Sequence, residues 1–90
     1  MKTKINEQIR QGLTAAIGAV FELDDMGIAV VTVEVDGGMP VIGVDREPPG
    51  AKPGTAITRT LGGRRETLHT AVIHGCRVQW HTAEHVRGAA

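Results

Sequence analysis

Three glycine-bearing dipeptides, Gly37-Gly38, Gly62-Gly63 and His74-Gly75, each separate two runs rich in β-branched or alternating residues. A two-residue connection that admits positive φ at both positions closes a β-hairpin readily, because its twist matches that of the flanking strands. Each dipeptide also fixes a register. Around Gly37-Gly38, Val35 faces Pro40, Val33 faces Ile42 and Val31 faces Val44, and all six fall on one face. Around Gly62-Gly63, Arg59 faces Glu66, a favourable cross-strand charge pair. Around His74-Gly75, Ile73 faces Cys76, Ala71 faces Val78 and His69 faces Trp80 on an inner face. Val72, Arg77, Thr70, Gln79 and His81 take the outer face. Pro40 has no N–H to give to a ladder, so its strand, over residues 39–45, is expected at a sheet edge.

One stretch resists this scheme. The parity set by His74-Gly75 puts Leu68 and Ile57 on the outer face and Thr67 inside. A bulge near Arg64-Arg65, or a sheet partly covered on both faces, resolves the conflict, and the sequence leaves both open. Residues 46–55 hold three of the four prolines and two glycines, and read as a loop, in part polyproline-like. Residues 82–87 have the pattern of a short helical turn.

The first quarter follows a different period. Ile5, Ile9, Leu13, Ala16, Ile17, Val20 and Phe21 recur at spacings of three and four, one face of an amphipathic helix. Thr3 fits the N-cap and Gly27 the C′ position, so the helix is expected over residues 4–25. Gly12 and Ala16 either admit another backbone at close range or sit against the sheet. The chain of 90 residues thus reads as a single α+β domain over residues 1–90 with a Pro/Gly-rich loop at 46–55. Its expected architecture is one N-terminal helix packed on a four- or five-stranded antiparallel sheet, in the order α-β-β-β-β-β. Phe21 and Trp80 are the only aromatics, so the core must be built from aliphatic residues. Homodimerisation is a natural way for so small a core to bury more apolar area.

Charge balances to zero overall, which argues against a uniformly basic nucleic-acid binder. It is nevertheless segregated. Residues 11–45 carry six acidic side chains and no Lys or Arg, whereas residues 46–90 carry seven basic and three acidic ones. Arg59, Arg64, Arg65 and Arg77 are read as a basic patch on the outer face of the second half, and Glu34 and Asp36 as an acidic hairpin tip. Such a patch suits an acidic protein surface or a phosphate backbone. With Trp80 turned inward, stacking of single-stranded bases has little to work with.

The four histidines and the single cysteine all lie between His69 and His85. That spacing is tempting for zinc, which needs four converging N or S ligands. The hairpin register argues against it, since it sets His69 and His81 on opposite faces and His74 in the turn. No metal site and no cofactor are expected, and Cys76 reads as a small buried apolar residue. Neither glycine pair is followed by the Lys and Ser/Thr of a phosphate loop. No nucleophile elbow, HExxH, CxxC or paired-carboxylate motif is present, so no catalytic residues are assigned and no enzyme is expected. Lys2, Lys4 and Arg10 precede an apolar stretch, but Glu7, Gly12 and Gly18 interrupt the pattern of a secretory signal. With one cysteine and no apolar run of about 18 residues, a cytoplasmic location is expected.

Two segments, VEVDGGMPVIGVDREPP and VIHGCRVQWH, resemble stretches of short uncharacterised proteins of bacteriophages and integrated mobile elements. From the start of the first segment to the end of the second the resemblance spans residues 33–81, about half of the chain. It carries over no functional residues, because no activity is assigned to those proteins. It implies a non-enzymatic accessory protein that binds a host protein or protein complex. The most concrete version is a stoichiometric inhibitor of a host defence complex such as a CRISPR effector. The alternatives are a nucleic-acid-binding accessory protein and a self-associating virion-assembly domain that pairs through the strand at residues 39–45.

Overall fold

A computed structural model describes residues 3–50, 54 and 56–85. One helix precedes five strands: α1 (Lys4–Asp25), β1 (Val30–Glu34), β2 (Val41–Val44), β3 (Ala56–Leu61), β4 (Arg64–Ile73) and β5 (Cys76–His85). The strands form a single sheet in the order β1-β2-β5-β4-β3. The α+β class and the element order are those expected from the sequence. All neighbours run antiparallel except β2 and β5, which pair parallel through Val41↔Arg77, Ile42↔Val78 and Gly43↔Gln79, so the sheet is mixed.

The helix is bounded by the chemistry of its ends. Thr3 accepts a hydrogen bond from the Asn6 backbone N–H, which satisfies one of the orphan donors of the first turn. Gly27, at φ +76°, takes the left-handed position after the C-cap Met26. Arg46 then donates to the Gly27 carbonyl, and Asp45 bonds Ala29 through both its backbone N–H and its carboxylate. These contacts tie the helix exit to the end of β2.

The helix is rotated from the expected orientation. Gly12, Ala16, Ala19 and Leu23 face the sheet, while Ile5, Leu13, Ile17 and Phe21 are exposed. The apolar arc of this helix is wider than the ~100° stripe that a surface helix buries. The small residues occupy the contact because they let the helix approach Trp80, Ile42 and Val78, all at most 2% exposed. Gly12 therefore sits against the β1–β2 segment: a Cβ there would lie 2.9 Å from Val35 Cγ1.

The last two hairpins have the registers that their turns dictate. Arg59 pairs with Glu66 and Ile57 with Leu68, and the β4–β5 ladder runs unbroken from Ile73↔Cys76 to Arg64↔His85. Gly62, Gly63, His74 and Gly75 all have positive φ, as such tight turns require. Ala71, Cys76, Val78 and Trp80 are buried on the inner face, and Val72 is exposed on the other.

Elsewhere the expectations give way. Val33↔Ile42 pairs as expected, but β1 is irregular between Val30 and Thr32. Val30 therefore turns to the core and Val31 is exposed, and Val35 lies beyond the end of β1. Pro40 precedes β2 instead of lying in it, its carbonyl accepts the Arg77 N–H at 2.8 Å, and β2 is an interior strand. The outermost strands are β1 and β3. The region of residues 39–45 is thus no free edge, and self-assembly through it has no basis. Residues 82–85 continue β5 as extended chain where a helical turn was expected, and residues 86 and 87 lie outside the described residues.

Candidate interaction surfaces

The conflict over Leu68 and Ile57 is resolved by neither route the sequence offered. No bulge intervenes, so both side chains do point to the outer face, and no second layer covers them among the described residues. With α1 on the inner face, the sheet is left with one open side. Ile57, Arg59, Glu66, Leu68 and His81 line a cleft of about 250 Å³ there. Ile57 is 63% exposed, and Val72 on the same outer face is 66% exposed. A second shallow cleft, lined by Val31, Thr32, Gly43, Val44, Gln79 and His81, adjoins the first through His81.

Strand parity distributes the four arginines. Arg59, Arg64 and Arg77 lie on the outer face. Arg65, paired with Thr60 and Glu84, lies on the opposite face, which corrects its place in the expected patch. Arg77 is also set apart. It pairs with Val72, whereas Arg59 pairs with Glu66, six residues further along β4. That interval is about 20 Å of strand. Arg59 and Arg64 alone are brought together, beside the Ile57–Leu68 cleft, with Glu66 between them. Arg64 Nε lies 3.7 Å from the Glu66 carboxylate. Glu34 and Asp36 occupy the β1–β2 tip as expected. Asp36 is held there by accepting the Gly38 N–H at 3.1 Å, the local bond typical of an Asx turn.

The histidines are dispersed. His69 stacks on Trp80 with ring centroids 5.5 Å apart and bonds Thr82 Oγ1 through Nε2 at 3.0 Å. His74 meets the Glu22 carboxylate at 2.9 Å and so ties the β4–β5 turn to α1. His81 stands on the outer face. Among the described residues no three His, Cys, Asp or Glu side chains converge in a way that could hold a metal ion. Cys76 is fully buried, and loss of solvent pushes its thiol pKa up.

Two surfaces emerge that the arginine-based reading missed. One is the Ile57–Leu68 strip; its signal in the sequence was the parity conflict itself. The other is the outer ridge of α1, Leu13, Ile17 and Phe21, exposed by 47%, 59% and 69%. Its spacing was visible, but the direction in which it points was not. No helix among the described residues is long and apolar enough to cross a membrane. A family model described as the Kil protein family matches residues 5–81. No curated protein and no solved structure gives a significant match.

Proposed function

The chain belongs to the Kil protein family, a family of small bacteriophage proteins, and from that premise we propose that it acts without catalysis, by binding a host protein. The most concrete version is a stoichiometric inhibitor of a host defence complex such as a CRISPR effector. The observation that carries the reading is the open outer face of the sheet, where exposed Ile57 and half-buried Leu68 stand beside Arg59 and Glu66, with Arg64 one row further toward the β3–β4 turn. An apolar centre rimmed by charge is the usual make-up of a protein-binding patch. Arginine at its edge favours an acidic partner surface and speeds encounter with it. The same face supports nucleic acid less well, because Arg65 points away and Arg77 lies far along the strand.

The test is capture of host proteins by the tagged chain, with and without nuclease. The wild type is compared with the double variant Ile57→Asp/Arg59→Glu and with Arg65→Glu on the opposite face. A nuclease-resistant complex that is lost in the double variant and kept in Arg65→Glu supports this face as the binding surface. Identification of a defence complex in it supports the inhibitor reading. A complex seen only without nuclease gives the function to nucleic acid, and equal loss in both variants removes the outer face from the argument.

A further inference from the structure

The helix has a face that its own sheet does not use. The i, i+4 ridge of α1 starts beside the sheet at Ile9, half-buried, and winds outward through Leu13 and Ile17 to Phe21. Ridges of this kind are the elements that mesh when two helices pack. The charges on the same helix are polarised. Its N-terminal part holds Lys4 and Arg10 with one acidic residue, Glu7, and its last turn holds Glu22, Asp24 and Asp25 and no basic residue. Acidic side chains at a helix C-terminus oppose the macrodipole. His74 of the same chain answers Glu22, but no ion pair among the described residues reaches Asp24.

We propose that this ridge seats the same ridge of a second copy of the chain, with the two helices antiparallel about a two-fold axis at Ile17. The register follows from the spacing. With Ile17 on its own symmetry mate, Leu13 meets Phe21 of the second copy and Arg10 meets Asp24 of the second copy. Apolar and charge matching are therefore satisfied by one alignment, and a two-fold axis repeats each match twice. The acidic last turn of each helix is placed beside the first half of the other, where Lys4 and Arg10 outnumber Glu7. A parallel pair would bring Asp24 against Asp24. One helix ridge covers less than a standard interface of roughly 1,200–2,000 Å², so a micromolar dissociation constant is expected. This interface is separate from the outer sheet face, and the two can be occupied together.

Sedimentation equilibrium of the full chain tests it. The wild type is expected to approach twice the chain mass at concentrations of about 0.1–1 mM. Ile17→Glu sets two carboxylates face to face on the axis and should yield the monomer with an unchanged circular dichroism spectrum. Arg10→Asp alone and Asp24→Arg alone should each weaken self-association roughly tenfold by opposing like charges. An equimolar mixture of those two variants should recover the dimer. In each hybrid pair the two substituted positions meet as opposite charges, and the native Arg10 of one copy meets the native Asp24 of the other. A wild-type mass of one chain at ~1 mM, or an Ile17→Glu variant that dimerises like the wild type, would overturn the interface. Failure of the mixture to recover would overturn the antiparallel register. The Ile57→Asp/Arg59→Glu variant should keep the wild-type mass, which separates this result from the sheet-face reading.

Discussion

Gly12 and Gly18 stand on one helix, and replacing them should have opposite effects. Glycine in a helix interior costs about 1 kcal/mol relative to alanine. At Gly18 a new Cβ would meet only the exposed His74 ring, at 3.4 Å. Gly18→Ala should therefore raise stability by about 0.5–1 kcal/mol in urea unfolding. At Gly12 the nearest atoms are Val35 Cγ1 at 2.9 Å and Pro40 Cγ at 3.5 Å, both on stiff side chains against the core. Gly12→Val should lower stability by about 1–3 kcal/mol, the usual cost of overpacking. Cys76 gives a second prediction at this scale. Its thiol pKa is raised on folding by burial, so the folded state favours the protonated form. The stabilisation is complete below the unfolded thiol value of roughly 8.5 and is lost as pH rises through the folded value. Thermal unfolding between pH 7 and 10 should show an alkaline fall that is reduced in Cys76→Ser or Cys76→Ala.

At the scale of elements, the β4–β5 hairpin is the part that cannot be dispensed with. It contributes Ala71, Cys76, Val78 and Trp80 to a core of only ten buried apolar residues among those described. Trp80→Ala should cost about 3–5 kcal/mol, a large share of what a small domain has. Trp80→Phe keeps a ring against His69 and should cost much less. Near-UV circular dichroism with denaturant titration measures both. This hairpin was legible in the sequence because a two-residue turn fixes every pair beyond it, and residues 62–63 worked in the same way. The helix bounds were legible too, because Thr3 and Gly27 act locally. What was not legible depends on tertiary choice. The helix has more apolar surface than a sheet can cover, and periodicity alone does not say which part is covered. The edge position inferred from Pro40 failed because a proline just before a strand costs no ladder bond, and β5, remote in sequence, takes the place beside β2. Arg65 was misplaced for a simpler reason: neighbouring residues in a strand point to opposite faces, so Arg64 and Arg65 cannot share a patch.

At the scale of the molecule, the chain is more extended than its length requires. Its Cα radius of gyration is 15.9 Å with extents of 63 × 27 × 19 Å. A compact domain of this length would have a radius of about 12 Å. The β3–β4–β5 meander runs beyond the cover of the helix. Gly12, Gly18 and Glu22 of α1 lie against Val35, Pro40 and His74, so the helix covers the β2 side and the β4–β5 turn. The far ends of β3 and β4 extend beyond it and pair Thr58 with Thr67 on the inner face in place of core residues. Hydrogen bonding holds this end, with little burial behind it, and such regions open at lower free energy than the core. Amide exchange should therefore fall into two tiers. The slow tier should include Ile42, Ala71 and Val78, and the fast tier Ile57, Arg59 and Glu66, with rates separated by roughly a hundredfold or more. Uniform protection would mean that the meander and the helix-covered core unfold as one unit, and the free end would then be a rigid arm. A graded result has a functional consequence. The Ile57–Leu68 strip would be presented on the least stable part of the sheet, where a partner can add the missing layer. Its binding should then protect Ile57, Arg59 and Glu66 from exchange far more than it protects Val78, which is already near the global limit.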